Sequence, residues 1–364
     1  MSADLQRRLA ALVAVASPSG GEAALAAQVV AGLVAAGHQA ERVGDSVLAR
    51  LRGRAAGPRV LLHSHLDTVA AGEGWTVDPF AAEWQDGRLV GLGANDAKAS
   101  AAAMLHAFDA VAAAGLPQGE LWLALTAREE TDNAGMAAVL AATGKPDAAV
   151  CGEPTGLEVV RAQAGLAVIE VEWHGRACHA AHVARVDHDS ALLAAAADLA
   201  ESAPYLRLPG EHPLLGPSTA VATILESGSR HNVIPDRARA VFDARLMPPH
   251  DAEECVRHLR ELFPCAEVRI RSARLQPIET AAGHPVVVAA LAAAGRQAAI
   301  GSATMSDMAL LQGVPVVKCG PGRTERSHAA DEYVTAAELA AGAAFYTRAV
   351  PALLAALAPV EAGA

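Results

Sequence analysis

The chain has 364 residues, of which 52% are hydrophobic and 19% are charged. This composition excludes an intrinsically disordered protein, because the apolar content is high enough to build a large buried core. The 40 acidic and 29 basic residues give a formal net charge of −11, which argues against nucleic-acid binding, since that function needs clustered basic residues. The length predicts about two domains.

The cysteines and the N-terminus bear on where the protein acts. Five cysteines without a Cys-x-x-Cys pair do not suit a disulfide framework and favour a reducing, cytoplasmic location. The first residues predict a helix rather than a signal peptide. An uncharged stretch at 23–40 approaches the length of a membrane span, but its glutamine, glycine and histidine residues favour a packed helix. We therefore expect no membrane association.

Helix and strand patterns alternate through the first 165 residues. We predict helices at 5–15, 22–36, 96–114 and 133–142, and strands at 47–51, 60–62, 121–126 and 148–150. Most of these strands are short apolar runs, which are typical of strands buried in a sheet. The alternation predicts an α/β fold with a mostly parallel central sheet.

The pattern changes near residue 166. We predict half-exposed strands at 166–173, 219–226, 238–246 and 266–270, and helices at 189–201 and 251–262. These elements make a small α+β layer with one wet face. An Ala-rich helical pattern returns at residue 285, and a strand is predicted at 314–318. We therefore predict one domain at 1–165 and 276–364, with a second domain at 166–275 inserted into it.

Histidine and carboxylate residues follow several predicted strands. The segment HSHLDTV at 63–69 places His65 two residues before Asp67. That spacing suits a metal-ligating histidine and the carboxylate that orients its ring, although such a pair also arises by chance. The segment GLGANDAK at 91–98 places Asp96 at the start of a predicted helix, where it is either a functional residue or an ordinary N-cap.

Three further segments carry candidate residues. AREET at 127–131 places Glu129 and Glu130 after a buried strand; adjacent carboxylates repel unless something positive lies beside them, and a solvated surface pair is the alternative. CGEPT at 151–155 places Glu153 after another apolar strand, as either a ligand or a turn residue. SHAADE at 327–332 adds His328. Ligand sites in α/β proteins gather at such strand ends.

In this order and spacing, the five segments resemble the M20 family of zinc-dependent amidohydrolases and exopeptidases. The resemblance extends from His63 to Glu332. It implies a zinc-exopeptidase-like catalytic domain at 1–165 and 276–364, with a lid and dimerisation domain at 166–275. It also implies a homodimer formed through the lid and a site for two zinc ions, with cobalt or manganese as alternatives.

The resemblance implies a role for each matched residue. The five implied zinc ligands are His65, Asp96, Glu130, Glu153 and His328. Asp96 would bridge the ions, with His65 and Glu153 on one ion and Glu130 and His328 on the other. Asp67 would orient His65, and Glu129 would be the general base. Nitrogen and oxygen donors without cysteine are typical of an open catalytic zinc site rather than a closed structural one.

The predicted inserted domain carries further matches. GRACHAA at 175–181 resembles the lid segment whose histidine reaches the partner subunit's site and stabilises the oxyanion, so His179 is the candidate. His182 and His188 remain alternatives, because the residues usual downstream are absent. HNVIP at 231–235 and DAR at 243–245 resemble segments that bind substrate. Asn232 would bind a substrate oxygen, and Arg245 either the substrate α-carboxylate or a surface carboxylate.

The resemblance implies hydrolysis of a small acylated amino acid. Residues 306–308 and 318–322 are most similar to the branch of acetylornithine deacetylases and carrier-protein lysine hydrolases. We expect removal of the Nα-acetyl group from N-acetylornithine in arginine biosynthesis. Acetylcitrulline, succinyl-diaminopimelate and carrier-protein-linked lysine or ornithine are alternative substrates. A metal-free binding protein on the same fold is an alternative of another class; it predicts lost ligands or a lost base, whereas all are present here.

Overall fold

The structure, a computed structural model, describes residues 2–202 and 205–358. Two compact units account for the described chain. Unit 1 comprises the chain up to Arg161, Glu279–Ile300 and the chain from Ser306, and unit 2 comprises Ala162–Ile278 and Gly301–Met305. Residues 162–165 and 276–278, assigned by sequence to the first domain, thus belong to unit 2. Within unit 2, Ala164 donates a backbone hydrogen bond to Ser302.

The described residues contain the following helices and strands. The helices are α1 Ser2–Val13, α2 Ala23–Ala35, α3 Lys98–Ala114, α4 Ala134–Thr143, α5 Ala191–Glu201, α6 Ala252–Leu262, α7 Pro285–Ala294 and α8 Ala336–Ala356. The strands are β1 Gln39–Val43, β2 Ser46–Arg52, β3 Ala55–His65, β4 Trp84–Gln85, β5 Arg88–Val90, β6 Gln118–Thr126, β7 Ala148–Cys151, β8 Val160–Gln163, β9 Gly165–His174, β10 Leu206–Arg207, β11 Thr219–Ser227, β12 Arg237–Leu246, β13 Glu267–Leu275, β14 Ile278–Glu279, β15 Ile300–Ser302, β16 Val316–Lys318 and β17 Tyr333–Thr335.

The largest sheet has the strand order β1-β2-β6-β3-β7-β16-β8-β14, and β15 pairs with β8. Its middle strands β6, β3, β7 and β16 are parallel. Their apolar runs are buried because helices cover the sheet, as expected for parallel strands. The mostly parallel central sheet predicted from the sequence is therefore confirmed. The carboxyl ends of these four strands meet at one edge, where ligand sites gather.

Two Ala-rich helices pack closely in unit 1. Helix α3 is buried along most of its length and lies against α8, because small alanine side chains allow close approach of two helices. Helix α8 is long and apolar enough to span a membrane, but about half of that apolar window is buried inside the protein, as in a core helix. Helix α2 buries Leu25, Val29 and Leu33, as the sequence predicted for a packed helix.

Unit 2 is an antiparallel sheet, in the order β10-β11-β12-β9-β13, with helices α5 and α6 packed on it. Trp173 of β9 is buried, and its ring centroid lies 5.5 Å from that of Phe263 in an edge-to-face contact. Several side chains that alternate with this core are charged, such as Glu170, which pairs with Arg239 and Arg269. The strands and helices predicted for the α+β layer are present, with the two-residue β10 as an additional strand.

Several element bounds differ from the prediction. Helix α3 begins at Lys98 rather than at Asp96, and its N-cap is Ala97, so the alternative that Asp96 is an ordinary N-cap is wrong. Strand β13 continues to Leu275 beyond the predicted end at residue 270. Strand β1 was not predicted, because its sequence QAERV is mostly polar and it lies at the edge of the sheet.

Candidate metal centre

The matched residues of unit 1 follow the carboxyl ends of its parallel strands. His65 ends β3, Glu129 and Glu130 follow β6, and Glu153 follows β7. Asp96 lies in the loop before α3. His65 is positioned by its buried apolar strand, whose Val60, Leu61 and Leu62 are almost completely inaccessible to solvent. The topology therefore brings together side chains that are far apart in the sequence. His328 joins them from the loop before β17.

Two groups of potential ligands share Asp96. His65, Asp96 and Glu153 form one group, and Asp96, Glu130 and His328 form the other, with the ligand atoms in each group within 4.8 Å of one another. The Nε2 atom of His65 lies 3.3 Å from Oδ1 of Asp96 and 3.9 Å from Oε2 of Glu153. The Nε2 atom of His328 lies 2.9 Å from Oε1 of Glu130 and 3.8 Å from Oδ2 of Asp96. The two oxygens of Asp96 thus face different groups.

Glu129 lies beside both groups. One of its carboxylate oxygens lies within 4.8 Å of ligand atoms of His65 and Glu130. Burial raises the pKa of Glu129 well above its ordinary value, and the carboxylate of Glu153 raises it further, whereas His65 opposes the shift. A carboxylate whose pKa is raised is a stronger proton acceptor than an ordinary one.

Asp67 contacts His65 through both its backbone and its carboxylate. Nδ1 of His65 lies closer to the backbone oxygen of Asp67, at 3.0 Å, than to the Oδ1 atom of Asp67, at 3.5 Å. The carboxylate of Asp67 also accepts the backbone N–H groups of Glu129 and Glu130, each at 3.0 Å, and the hydroxyl of Ser19 at 2.7 Å. Burial works to raise the pKa of Asp67, but hydrogen bonds, first from His65, outweigh it and lower this pKa to about 2.

Glu332 is a site residue to which the sequence analysis gave no role. It is buried, and its carboxylate accepts backbone N–H groups from Gly93 at 3.2 Å and from Asn95 and Asp96, each at 2.8 Å. It therefore holds the loop that presents Asp96. The one sequence signal for Glu332 was its position in SHAADE, four residues after His328. An acidic residue in such a segment is ordinarily interpreted as part of a solvated loop.

The donor set fits divalent cations. Within the described part of the chain, two histidines converge with four carboxylates (Asp96, Glu129, Glu130 and Glu153), and all the donors are nitrogen or oxygen atoms. The Oε1 atom of Glu153 is buried, and none of the described residues forms a hydrogen bond with it. Burial raises the pKa of Glu153 to about 8, with Asp96 and Glu130 adding to the shift and His65 and Lys318 opposing it. A cation would satisfy the buried oxygen and offset this excess of negative charge.

The remaining predicted residues belong to unit 2. The Nδ2 atom of Asn232 lies 3.3 Å from Nε2 of His179, and the ring of His182 lies 5.6 Å from that of His179. His188 is separate from this pair, and its Nδ1 lies 3.0 Å from the backbone oxygen of Val186. Arg245 of β12 forms two hydrogen bonds with Asp243, at 2.7 and 3.1 Å, so its guanidinium already has a carboxylate partner within unit 2.

Residues 61–352 match the sequence family described as Peptidase family M20/M25/M40. The chain belongs to the M20 family. The family and the enzyme class predicted from the five segments are thereby confirmed, and this M20 chain is a hydrolase.

Named members of the family are similar to this chain. The acetylornithine deacetylase of Myxococcus xanthus is 31% identical over 317 residues, which cover 82% of this chain and 80% of that protein. The succinyl-diaminopimelate desuccinylase of Rhodospirillum centenum is 35% identical over 237 residues; the alignment covers 61% of this chain and 60% of that protein. A crystal structure of a dinuclear metal-binding M20 peptidase from Bacillus subtilis matches with a TM-score of 0.77 and 17% identity, covering 97% of this chain and 98% of that one. This likeness establishes the M20 fold.

Proposed function

We propose that this M20 hydrolase removes the Nα-acyl group from an acylated amino acid, with N-acetylornithine as the substrate. The observation that carries the proposal is the pair of ligand groups that share Asp96, with the buried carboxylate of Glu129 beside both. Two cation sites joined by one carboxylate, next to a potential proton acceptor, suit hydrolysis of an amide. A binding protein would have no need of a buried base beside the ligands.

The proposed cation ligands divide as the two groups do. His65 and Glu153 would hold one ion, Glu130 and His328 the other, and Asp96 both. When bound, two such cations act as Lewis acids toward a carbonyl oxygen and a water molecule. The relative from Bacillus subtilis that is described as dinuclear supports two ions, and the nitrogen and oxygen donors suit zinc, cobalt or manganese.

Glu129 is the proposed general base and then the general acid. Its carboxylate would take a proton from the attacking water and deliver it to the nitrogen of the leaving amine, so that the amine departs uncharged. Asp67 would hold Glu129 in place for this transfer, because it binds the backbone N–H of Glu129 rather than the reacting atoms. His65 would be oriented mainly by the backbone oxygen of Asp67.

We extend the proposal to unit 2 and to the assembly. Arg245 would bind the substrate α-carboxylate, since guanidinium forms two parallel hydrogen bonds with a carboxylate. It would then exchange its present partner, Asp243, for the substrate. Asn232 would bind a neighbouring oxygen, and His179 would stabilise the oxyanion in the partner subunit of a homodimer. The closeness of Asn232 and His179 supports their acting on the same group.

The choice of substrate rests on the relatives. The acetylornithine deacetylase aligns with more of this chain than the desuccinylase does, which favours an acetyl group and an ornithine side chain. Both relatives are named for the removal of an acyl group from an amino acid, so the wider class holds for either. We place the reaction in arginine biosynthesis and in the cytoplasm.

The test is amine release from a panel of acylated amino acids by protein loaded with zinc or cobalt. The panel contains acetylornithine, acetylcitrulline, acetyllysine, acetylmethionine and succinyl-diaminopimelate, each with and without a chelator. We expect chelator-sensitive turnover that is greatest on acetylornithine. Preference for another compound of the panel would change the proposed substrate but not the proposed reaction. Inactivity on the whole panel with two ions bound would overturn the small-molecule proposal and point to carrier-protein or peptide amides.

A variant separates the enzyme from a binding protein. Glu129→Gln keeps the size of the side chain but cannot accept the proton, so turnover should fall by about 10²–10⁴-fold while two ions still bind. The matched control is Glu158→Gln, because Glu158 is partly exposed and pairs with Arg296 away from the cluster. Equal turnover of both variants would exclude Glu129 as the base.

A further inference from the structure

A buried polar cluster in unit 1 lies outside the proposed mechanism. His63, Thr126 and Asp307 are completely inaccessible to solvent, and Asn133 is nearly so. We infer that Asp307 is a positioning residue that holds the loop bearing Glu129. This inference rests on the proposed role of Glu129 as the general base.

The carboxylate of Asp307 accepts hydrogen bonds from two directions. Its Oδ1 accepts the Nδ2–H of Asn133 at 2.8 Å. Its Oδ2 accepts the hydroxyl of Thr126 at 2.9 Å and lies 3.0 Å from Nε2 of His63. Buried charge is costly without such partners, so a carboxylate at this position requires all of them in place.

Asn133 connects Asp307 to the loop. The Nδ2 of Asn133 donates both to Asp307 and to the backbone oxygen of Glu129, at 3.1 Å. An amide group has two N–H donors, one for each acceptor, and the reversed amide would place its oxygen against two other oxygens. Asp307 therefore fixes the rotation of the Asn133 amide, and that amide restrains the peptide group of Glu129.

The same carboxylate also reaches the strand that ends in His65. His63 lies two residues before His65 on β3, and its side chain meets Asp307 next to Thr126, the last residue of β6. The Nε2 atom of His63 faces the carboxylate of Asp307 and the hydroxyl oxygen of Thr126. The carboxylate can only accept, and Thr126 donates its one proton to Asp307, so Nε2 must itself carry a proton. Asp307 thus joins the ends of the two adjacent strands from which His65 and Glu129 are presented.

The test compares three variants of the full chain. Asp307→Asn keeps the volume but must turn an N–H group toward one of the existing donors. Asn133→Gly removes the amide and suits the backbone there, since Asn133 has a φ of 58°. Thr280→Val is the control, because it removes a buried hydroxyl that bonds both backbone groups of Val316, elsewhere in unit 1.

We expect Asp307→Asn and Asn133→Gly to lower kcat by about 10- to 100-fold, with KM and the number of bound ions unchanged. The double variant should lose less kcat than the product of the two single losses, because Asp307 and Asn133 restrain the peptide group of Glu129 through the same hydrogen bond. Hydrogen exchange of the amides at 128–130 should accelerate by about tenfold or more in both variants. Thr280→Val should lower the thermal midpoint without either effect.

Two results would overturn the inference. One is an Asp307→Asn protein with wild-type kcat and wild-type exchange at 128–130. The other is a Thr280→Val protein that loses kcat as much as Asp307→Asn, because the effect would then follow stability alone. If the wild-type protein hydrolyses no amide of the panel, the proposed function fails, and the exchange measurement still decides whether Asp307 holds the loop.

Discussion

The Oδ1 atom of Asp67 lies 3.0 Å from the backbone nitrogen of Glu129, and its Oδ2 atom lies at the same distance from the nitrogen of Glu130. One carboxylate therefore holds two consecutive peptide groups at the end of β6. Glu129 and Glu130 point toward the cluster from this clamp. The proposed base and one proposed ligand are thus positioned by a residue on the neighbouring strand end, after β3.

Asp67→Asn should lower kcat by about 10- to 100-fold at saturating cation. An amide must turn its N–H group toward Glu129, Glu130 or Ser19, all of which donate to this side chain, and an unpaired buried donor costs about 1–3 kcal/mol. Steady-state kinetics measure the effect. Asp147→Asn is the control, because Asp147 also accepts a backbone N–H, from Arg59 at 2.7 Å, but is partly exposed and outside the site. A fall in kcat for Asp147→Asn equal to that of Asp67→Asn would count against the clamp.

Removal of the cations should lower thermal stability. Ions that bind only the folded chain stabilise it by about 2.7 kcal/mol when the free concentration is about 100 times Kd. Differential scanning calorimetry after chelation and after zinc addition measures the change in midpoint. Glu153→Gln should bind fewer ions and show a smaller rise in midpoint, whereas Glu158→Gln should behave as the wild type. A midpoint that does not respond to zinc would argue against a cation site at this cluster.

His179→Ala should lower kcat by about 10²–10³-fold, the usual loss when an oxyanion donor is removed. His182→Ala and His188→Ala should retain turnover. A large loss of kcat in one of these variants, with kcat unchanged in His179→Ala, would assign the oxyanion role to that histidine instead. Sedimentation velocity checks the assembly. An active monomer at high dilution would contradict the proposal that His179 acts in the partner subunit.

Two glycine substitutions should have opposite effects on the free energy of unfolding. A Cβ at Gly152, next to Glu153, would lie 2.7–2.8 Å from Met104, Ser100 and Tyr346, so Gly152→Ala should destabilise by about 1–3 kcal/mol. A Cβ at Gly32, within α2, would meet no atom of the residues at 2–202 and 205–358 within 4 Å, so Gly32→Ala should stabilise by about 0.5–1 kcal/mol. Urea unfolding measures both. A stabilising Gly152→Ala would show that close packing at Gly152 is not decisive, and a destabilising Gly32→Ala would contradict the gain expected in α2.

Local sequence was sufficient for the fold class, whereas the residues of the cluster were singled out by the resemblance to the family, since each local motif also had an ordinary structural interpretation. The apolar run that ends at His65 and the run before Glu129 predict buried parallel strands, because burial on both faces requires continuous apolar residues. Polar residues directly after such strands gather at one edge of the sheet. The family pattern adds the order of the segments. This is why His328 could be assigned although it lies more than 170 residues after Glu153, the preceding predicted ligand in the sequence.

The hydrogen-bond partners of the buried carboxylates could not be predicted from the sequence. The sequence pointed to Asp67 as the partner of His65, since they are two residues apart, yet its carboxylate lies closer to the backbone of Glu129 and Glu130. Asp307 and Glu332 lie in segments that the sequence analysis matched to the family, but no local pattern indicates which groups their carboxylates bind. Their partners Asn133 and Asp96 are 174 and 236 residues away, and nothing in the intervening pattern specifies those pairs.

The amino-acid sequence alone therefore determined which strands are buried and which chemical groups stand at their ends, because hydrophobic periodicity acts over a few residues. Only the tertiary structure decided how those groups are held. The loops after β3 and β6 have no periodic pattern, and their conformation is set by single buried carboxylates that must find donors wherever the folded chain supplies them.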